Sequence, residues 1–200
     1  MERAVLMHAV VGKRGDTDNK KNARKKELFL LVSVDKGSVR VLKALDWRFP
    51  AKVSLSPDGQ FVVYDLPPKE NLPQRDIFLL SVEGGREVPL VQHPANDLLP
   101  VWAPDGKSVV FGSDRPGTMG LWIIRVANGK PLGAPELLKP DIGRISTMAF
   151  TKDGSLFYGL NTGMRDVYSA KLDVEAVIIL EPRTPVSQLF VGSNLAPDLS

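Results

Sequence analysis

The sequence predicts an all-β protein built from a repeated unit of four short antiparallel strands. Three observations predict it. The tetrapeptide Ser56-Pro57-Asp58-Gly59 returns as Ala103-Pro104-Asp105-Gly106 and, in weaker form, as Thr151-Lys152-Asp153-Gly154, at steps of 47 and 48 residues. Each copy stands between two short apolar runs. A second motif, an apolar run with an aromatic residue at a constant place, recurs in phase with the first. Self-similarity at a fixed period of this size marks a repeat architecture, in which one unit buries its faces only against its neighbours.

The chemistry of the tetrapeptide is that of a turn. Proline presets φ at the second position, aspartate tolerates the third, and glycine takes positive φ at the fourth. Thr151-Lys152-Asp153-Gly154 loses the proline but keeps Asp-Gly. The strand before each turn is Val53-Ser54-Leu55, Pro100-Val101-Trp102 or Met148-Ala149-Phe150. The strand after it is Phe61–Tyr64, Val109–Phe111 or Leu156–Tyr158. A third strand follows as Ile77–Val82, Leu121–Val126 and Val167–Leu172, with Phe78, Trp122 and Tyr168 in equivalent places, and Phe29–Val34 fits the same register with Leu30 there. Aromatic residues repeated in buried strands read as packing between units. Gly37, Gly85 and Gly129 then mark a second hairpin, and the fourth strand reads Val39–Leu42, Val88–Val91 and Glu136–Leu138. The last copy departs, with Glu175 where glycine is expected and Val186–Val191 as its outer strand.

Four strands in about 47 residues is the size of a propeller blade. The boundaries follow. Residues 1–46 form a partial blade that lacks its inner strand and carries a basic loop at 12–26. Residues 47–94, 95–141 and 142–193 form three blades, and 194–200 begin a further one. The expected fold class is therefore all-β, a partial β-propeller of four-stranded antiparallel blades, read as part of a longer protein.

The second blade carries the fullest set of these motifs: Trp102-Ala103-Pro104-Asp105-Gly106-Lys107, then Phe111-Gly112-Ser113-Asp114-Arg115-Pro116-Gly117, then Leu121-Trp122. In this order they resemble the TolB-like β-propellers, often called WD-like repeats. The first full blade keeps the turn but has a proline-rich loop, Leu66–Arg75, in place of Ser-Asp-Arg. The resemblance covers roughly residues 28–200. It implies a ring of six or more blades and leans toward the bacterial periplasm or the cell exterior. It says little about function, because one propeller scaffold serves many tasks.

Composition removes several function classes. Among 200 residues, 43% are hydrophobic and 24% charged, none is cysteine, and two are histidine, His8 and His93. No disulfide framework or cysteine-based zinc site follows. No apolar run approaches the ~20 residues that a membrane-spanning helix needs, so membrane insertion is not expected. The net charge of +3 is local: Lys13–Lys26 carries +5 and residues 27–200 sum to −2. That segment holds no aromatic residue for base stacking, so it reads as a solvated loop and nucleic acid is not an expected partner. Asp16-Thr17-Asp18-Asn19 opens like a calcium loop but lacks the glycine and glutamate that complete one. Asp58, Asp105 and Asp153 lie on different blades and read as turn formers. No Gly-x-Ser-x-Gly nucleophile elbow occurs, and Gly112-Ser113 and Gly192-Ser193 lack the second glycine. No catalytic residue, metal site or cofactor is expected, and the chain is read as no enzyme.

Surface loops remain. The connections from one blade's outer strand to the next blade's inner strand gather on one face: Gln92–Leu98, Lys139–Ile145 and Gly192–Leu195. They supply the candidate partner-binding residues His93, Asn96, Asp97, Asp141, Arg144 and Asn194. The expected function is a non-catalytic scaffold for a protein or peptide partner. An open arc also exposes blade edges, through which self-association is expected. Two alternatives belong to other classes: the substrate-gating propeller of a prolyl-oligopeptidase-like peptidase, or the sensor portion of a receptor-like kinase.

Overall fold

Turn chemistry and alternating burial together lay out the architecture. The computed structural model describes residues 4–11, 26–45, 48–70, 72–83, 85–161, 165–182 and 184–185. The first sheet is β1 (Ala4–Val11), β2 (Lys26–Ser33) and β3 (Val39–Leu45). The second is β4 (Val53–Leu55), β5 (Phe61–Leu66), β6 (Asp76–Ser81) and β7 (Glu87–Val91). The third is β8 (Asp97–Trp102), β9 (Ser108–Ser113), β10 (Gly120–Ala127) and β11 (Lys130–Lys139). The fourth is β12 (Ile145–Phe150), β13 (Ser155–Asn161), β14 (Arg165–Asp173), β15 (Ile178–Ile179) and β16 (Thr184–Pro185). Strands pair in chain order within every sheet, all antiparallel, and β15 and β16 both pair with β14 as two pieces of one outer strand.

The tetrapeptides do what their side chains dictate. Asp105 Oδ1 accepts the amides of Lys107 and Ser108, and Oδ2 accepts the Ser108 hydroxyl at 2.9 Å. Asp58 accepts the Gln60 amide at 3.0 Å, and Asp153 accepts that of Ser155. Gly106 takes φ +66°, a conformation that side chains disfavour. The fourth unit has a turn and a short outer segment that the sequence reading did not place. Its outer strand starts at Ile178, directly after a turn, while Val186–Val191 lies outside the described residues. Asp173 Oδ1 accepts the amides of Glu175 and Ala176 at 2.9 Å, which closes the hairpin without a glycine. Val177 carries the positive φ, +59°, that glycine holds elsewhere.

The middle strands of the second and third sheets are buried on both faces, and period-two alternation divides their side chains between two interfaces. On β5, Val62, Tyr64 and Leu66 pack with Phe29 and Leu45 of the first sheet, while Val63 packs with Trp102, Val109 and Phe111 of the third. On β10, Ile124 packs toward the second sheet, whereas Leu121 and Ile123 meet Met148, Leu156 and Tyr158 of the fourth. The three recurrent aromatics lie in or against these layers. Phe78 stacks on Tyr64 at 6.1 Å, Tyr168 stacks on Tyr158 at 6.4 Å, and Trp122 packs against the layer between second and third sheets.

A polar clamp ties the first two sheets together. The Glu87 carboxylate of β7 accepts the Tyr64 hydroxyl and pairs with Lys43 of β3 at 2.7 Å. Burial pushes the Glu87 carboxyl up, but the bonds from Lys43 and Tyr64 together outweigh it and hold its pKa below the usual carboxylate range. A carboxyl depressed in the folded state stabilises fully above its unfolded value, and that stability is lost as pH falls through the folded value. Melting measured from about pH 6 to about pH 3 should therefore show a smaller acid-induced loss in Glu87→Gln than in the parent protein.

Candidate functional site

The loop face is less open than its polarity suggests. His93 is exposed, and its Nδ1 accepts the Ala95 amide at 3.0 Å. Asn96 is spent on structure: its Oδ1 accepts the Arg75 amide at 3.0 Å, and its own amide donates to Asp114 Oδ1 at 2.8 Å. Asp97 corrects the sequence reading, because it is no surface residue. It is 0% exposed, starts β8, and pairs with Arg115 at 3.0 Å. Its amide donates to the Arg75 carbonyl at 2.8 Å. Asp141 and Arg144 are exposed, one loop further along. Between them Ile142 is buried, and its amide donates to the Met119 carbonyl at 2.8 Å. The loops after β7 and β11 are thus each pinned to the preceding sheet's own hairpin. Asn194 lies outside the described residues.

Sequence reasoning missed a row of buried carboxylates beneath this face. Asp65, Asp76 and Asp97 are 0%, 3% and 0% exposed. Asp65 Oδ1 accepts the amides of Ala51 and Lys52, and Oδ2 pairs with Arg75 Nε at 2.8 Å. Burial raises the pKa of Asp65 against the pull of Arg75 and these amides. Burial likewise raises Asp97 against Ser113 and Arg115, and it raises Asp76 with a contribution from the Asp97 charge. The signal was present in Tyr64-Asp65-Leu66 and Asp76-Ile77-Phe78, where a charge interrupts a buried run and demands a partner. Arg115 also lies over the rings of Trp122 and Phe111, at 5.1 and 5.7 Å from their centroids. Asp97→Ala leaves that cation without its carboxylate and should cost about 1–3 kcal/mol in chemical denaturation, with Asp97→Asn costing less because an acceptor remains. No group of three His, Cys, Asp or Glu side chains among the described residues is placed to hold a metal ion.

A cleft opens where the first strands of the sheets converge. β4 meets β8, β8 meets β12, and β1 approaches β4. β4, β8 and β12 are each terminal strands of their sheets, so one edge of each is left unpaired by its sheet. Together with β1 they enclose a cleft of about 600 Å3, whose lining includes Leu6, His8, Lys52, Ser54, Trp102 and Phe150. The Ser54 hydroxyl oxygen accepts the Trp102 amide across the β4–β8 junction at 3.2 Å. His8 is already engaged, bonded to the buried Glu27 carboxylate of β2.

Antiparallel sheets stacked face on face, with first strands converging on a cleft, define a β-propeller architecture, and the fold is that of the TolB-like propellers. No family model matches the chain. Over 74 residues it is 31% identical to dipeptidyl-peptidase 5 of Porphyromonas gingivalis, a stretch that makes up 36% of this chain and 11% of that protein. Its structure is similar to TolB from Acinetobacter baumannii, with a TM-score of 0.60 and 14% identity, over 93% of this chain and 44% of TolB. It is also similar to a chain of a nidogen–laminin complex, with a TM-score of 0.63 and 9% identity, over 96% of this chain and 64% of that one. The chain spans less than two thirds of the length of each of these proteins, and at such identities the structural likeness shows the fold.

Proposed function

We propose that this protein is a non-catalytic propeller scaffold that takes an extended segment of a partner polypeptide in the cleft between its first strands. The cleft itself carries the reading. It combines apolar and aromatic walls with strand edges that their own sheets leave unpaired. Strand edges offer main-chain hydrogen bonds to an extended peptide, and neighbouring side chains then select among sequences. The similarity to a chain of a nidogen–laminin complex supports protein recognition on this fold. The exposed His93, Asp141 and Arg144 would supply outer contacts on the loop face.

The test is a peptide array probed with three versions of the protein. Ala149 lines the cleft, and Leu132 lies 60% exposed on β11. Ala149→Trp fills the cleft and should abolish binding of peptides retained by the parent, whereas Leu132→Glu should leave it intact. Binding that survives Ala149→Trp and disappears in Leu132→Glu would overturn the reading.

A second reading rests on the dipeptidyl-peptidase 5 similarity: a propeller that admits substrates to a hydrolase domain. It requires a nucleophile elbow elsewhere in the parent polypeptide, since none occurs in these 200 residues.

A further inference from the structure

Lys52 occupies an unusual position for a lysine. It lines the cleft where β4 begins, and it is half-buried. Neighbouring carboxylates are already committed. Asp65 accepts the Lys52 main-chain amide, but its other oxygen is held by the Arg75 guanidinium and its side chain is fully buried. Glu27, which reaches the cleft only through the lining residue His8, is engaged there. Among the described residues the Lys52 ammonium has no hydrogen-bonded or ion-paired acid. Burial alone lowers its pKa, with no compensating carboxylate. A cation withdrawn from water without a partner is costly, and an incoming anion removes that cost.

The rest of the lining sharpens the choice of anion. Trp102 and Phe150 provide apolar area, and the strand edges provide main-chain donors and acceptors. A bare inorganic ion would use none of these. An extended peptide bearing a carboxylate side chain would use all of them.

We propose that the cleft selects acidic peptides, with Lys52 as the residue that pairs with a glutamate or aspartate of the bound segment. This rests on the reading of the cleft as a peptide site and names its ligand class. Lys52 acts here as a specificity residue, since the cleft walls and strand edges do not depend on its charge.

Calorimetry with three capped peptides of equal length tests it: alternating Glu-Ala, alternating Lys-Ala and alternating Ser-Ala. The Glu-Ala peptide should bind at least about ten-fold more tightly than the other two, and added salt should weaken it. Lys52→Met should remove that preference, and Lys52→Arg should restore it. Circular dichroism melting of both variants confirms that the fold is retained. Equal affinity for Glu-Ala and Ser-Ala peptides, lost in Ala149→Trp but unchanged in Lys52→Met, would keep the cleft as a peptide site and overturn the acidic preference. Failure of all three peptides to bind would overturn both.

Discussion

Phe111→Ala is expected to destabilise the protein by about 3–5 kcal/mol, read from the midpoint of cooperative chemical unfolding. Phe111 sits on β9 with no solvent exposure, packed among Val63, Trp102 and Ile124 between the second and third sheets. Neighbours on two separate sheets can close only part of the space it leaves, so the cavity adds to the lost transfer energy. The same ring also lies beneath the Arg115 guanidinium. The cost in an Arg115→Met background should therefore be smaller, because the two residues share one contact. A loss below about 1 kcal/mol in the parent background would mean that the interface collapses freely, contrary to close packing of these sheets.

The second large effect belongs to the interface between the first and second sheets. Tyr64 is fully buried, meets Phe29 edge-on at 4.8 Å, and stacks on Phe78. Tyr64→Ala should cost about 3–5 kcal/mol. Tyr64→Phe isolates the hydroxyl and should cost about 0.5–1.5 kcal/mol, because Glu87 keeps its partner Lys43. Burial, reinforced by the bond to Glu87, drives the Tyr64 hydroxyl's pKa far upward, so the phenol stays protonated and remains a donor. Comparing the two variants separates ring packing from the polar clamp. If Phe costs as much as Ala, the hydroxyl rather than the ring dominates that interface.

These two sites mark the boundary of what could be read from residues in order. Ser-Pro-Asp-Gly, Ala-Pro-Asp-Gly and Thr-Lys-Asp-Gly announce hairpins because aspartate and glycine satisfy local geometry without help from distant chain. The continuous apolar runs Phe61–Tyr64 and Leu121–Ile124 announce strands covered on both faces. Local chemistry thus sufficed for the strand order, the repeat and the propeller class. It missed the turn that leads into β15. There the Asp173 side chain closes the turn, and Val177 adopts a backbone conformation usually left to glycine.

The candidate site was legible only in part. Asp97 looked like a loop carboxylate because His93 to Leu98 is polar and contains proline. Its burial follows from Arg115, 18 residues away, which comes just after Ser113, the β9 residue paired with Asp97, and carries the compensating charge. Lys52 gave no sequence signal, since a lone lysine before a short strand is ordinarily a solvated surface group. The sequence by itself determined the repeat, the turns and which strands face two neighbours, because those depend on φ, side-chain reach and period-two alternation. Only the tertiary structure decided which charges meet, which are buried and which are left without a partner, because those depend on distances between residues that the repeat period keeps far apart in the chain.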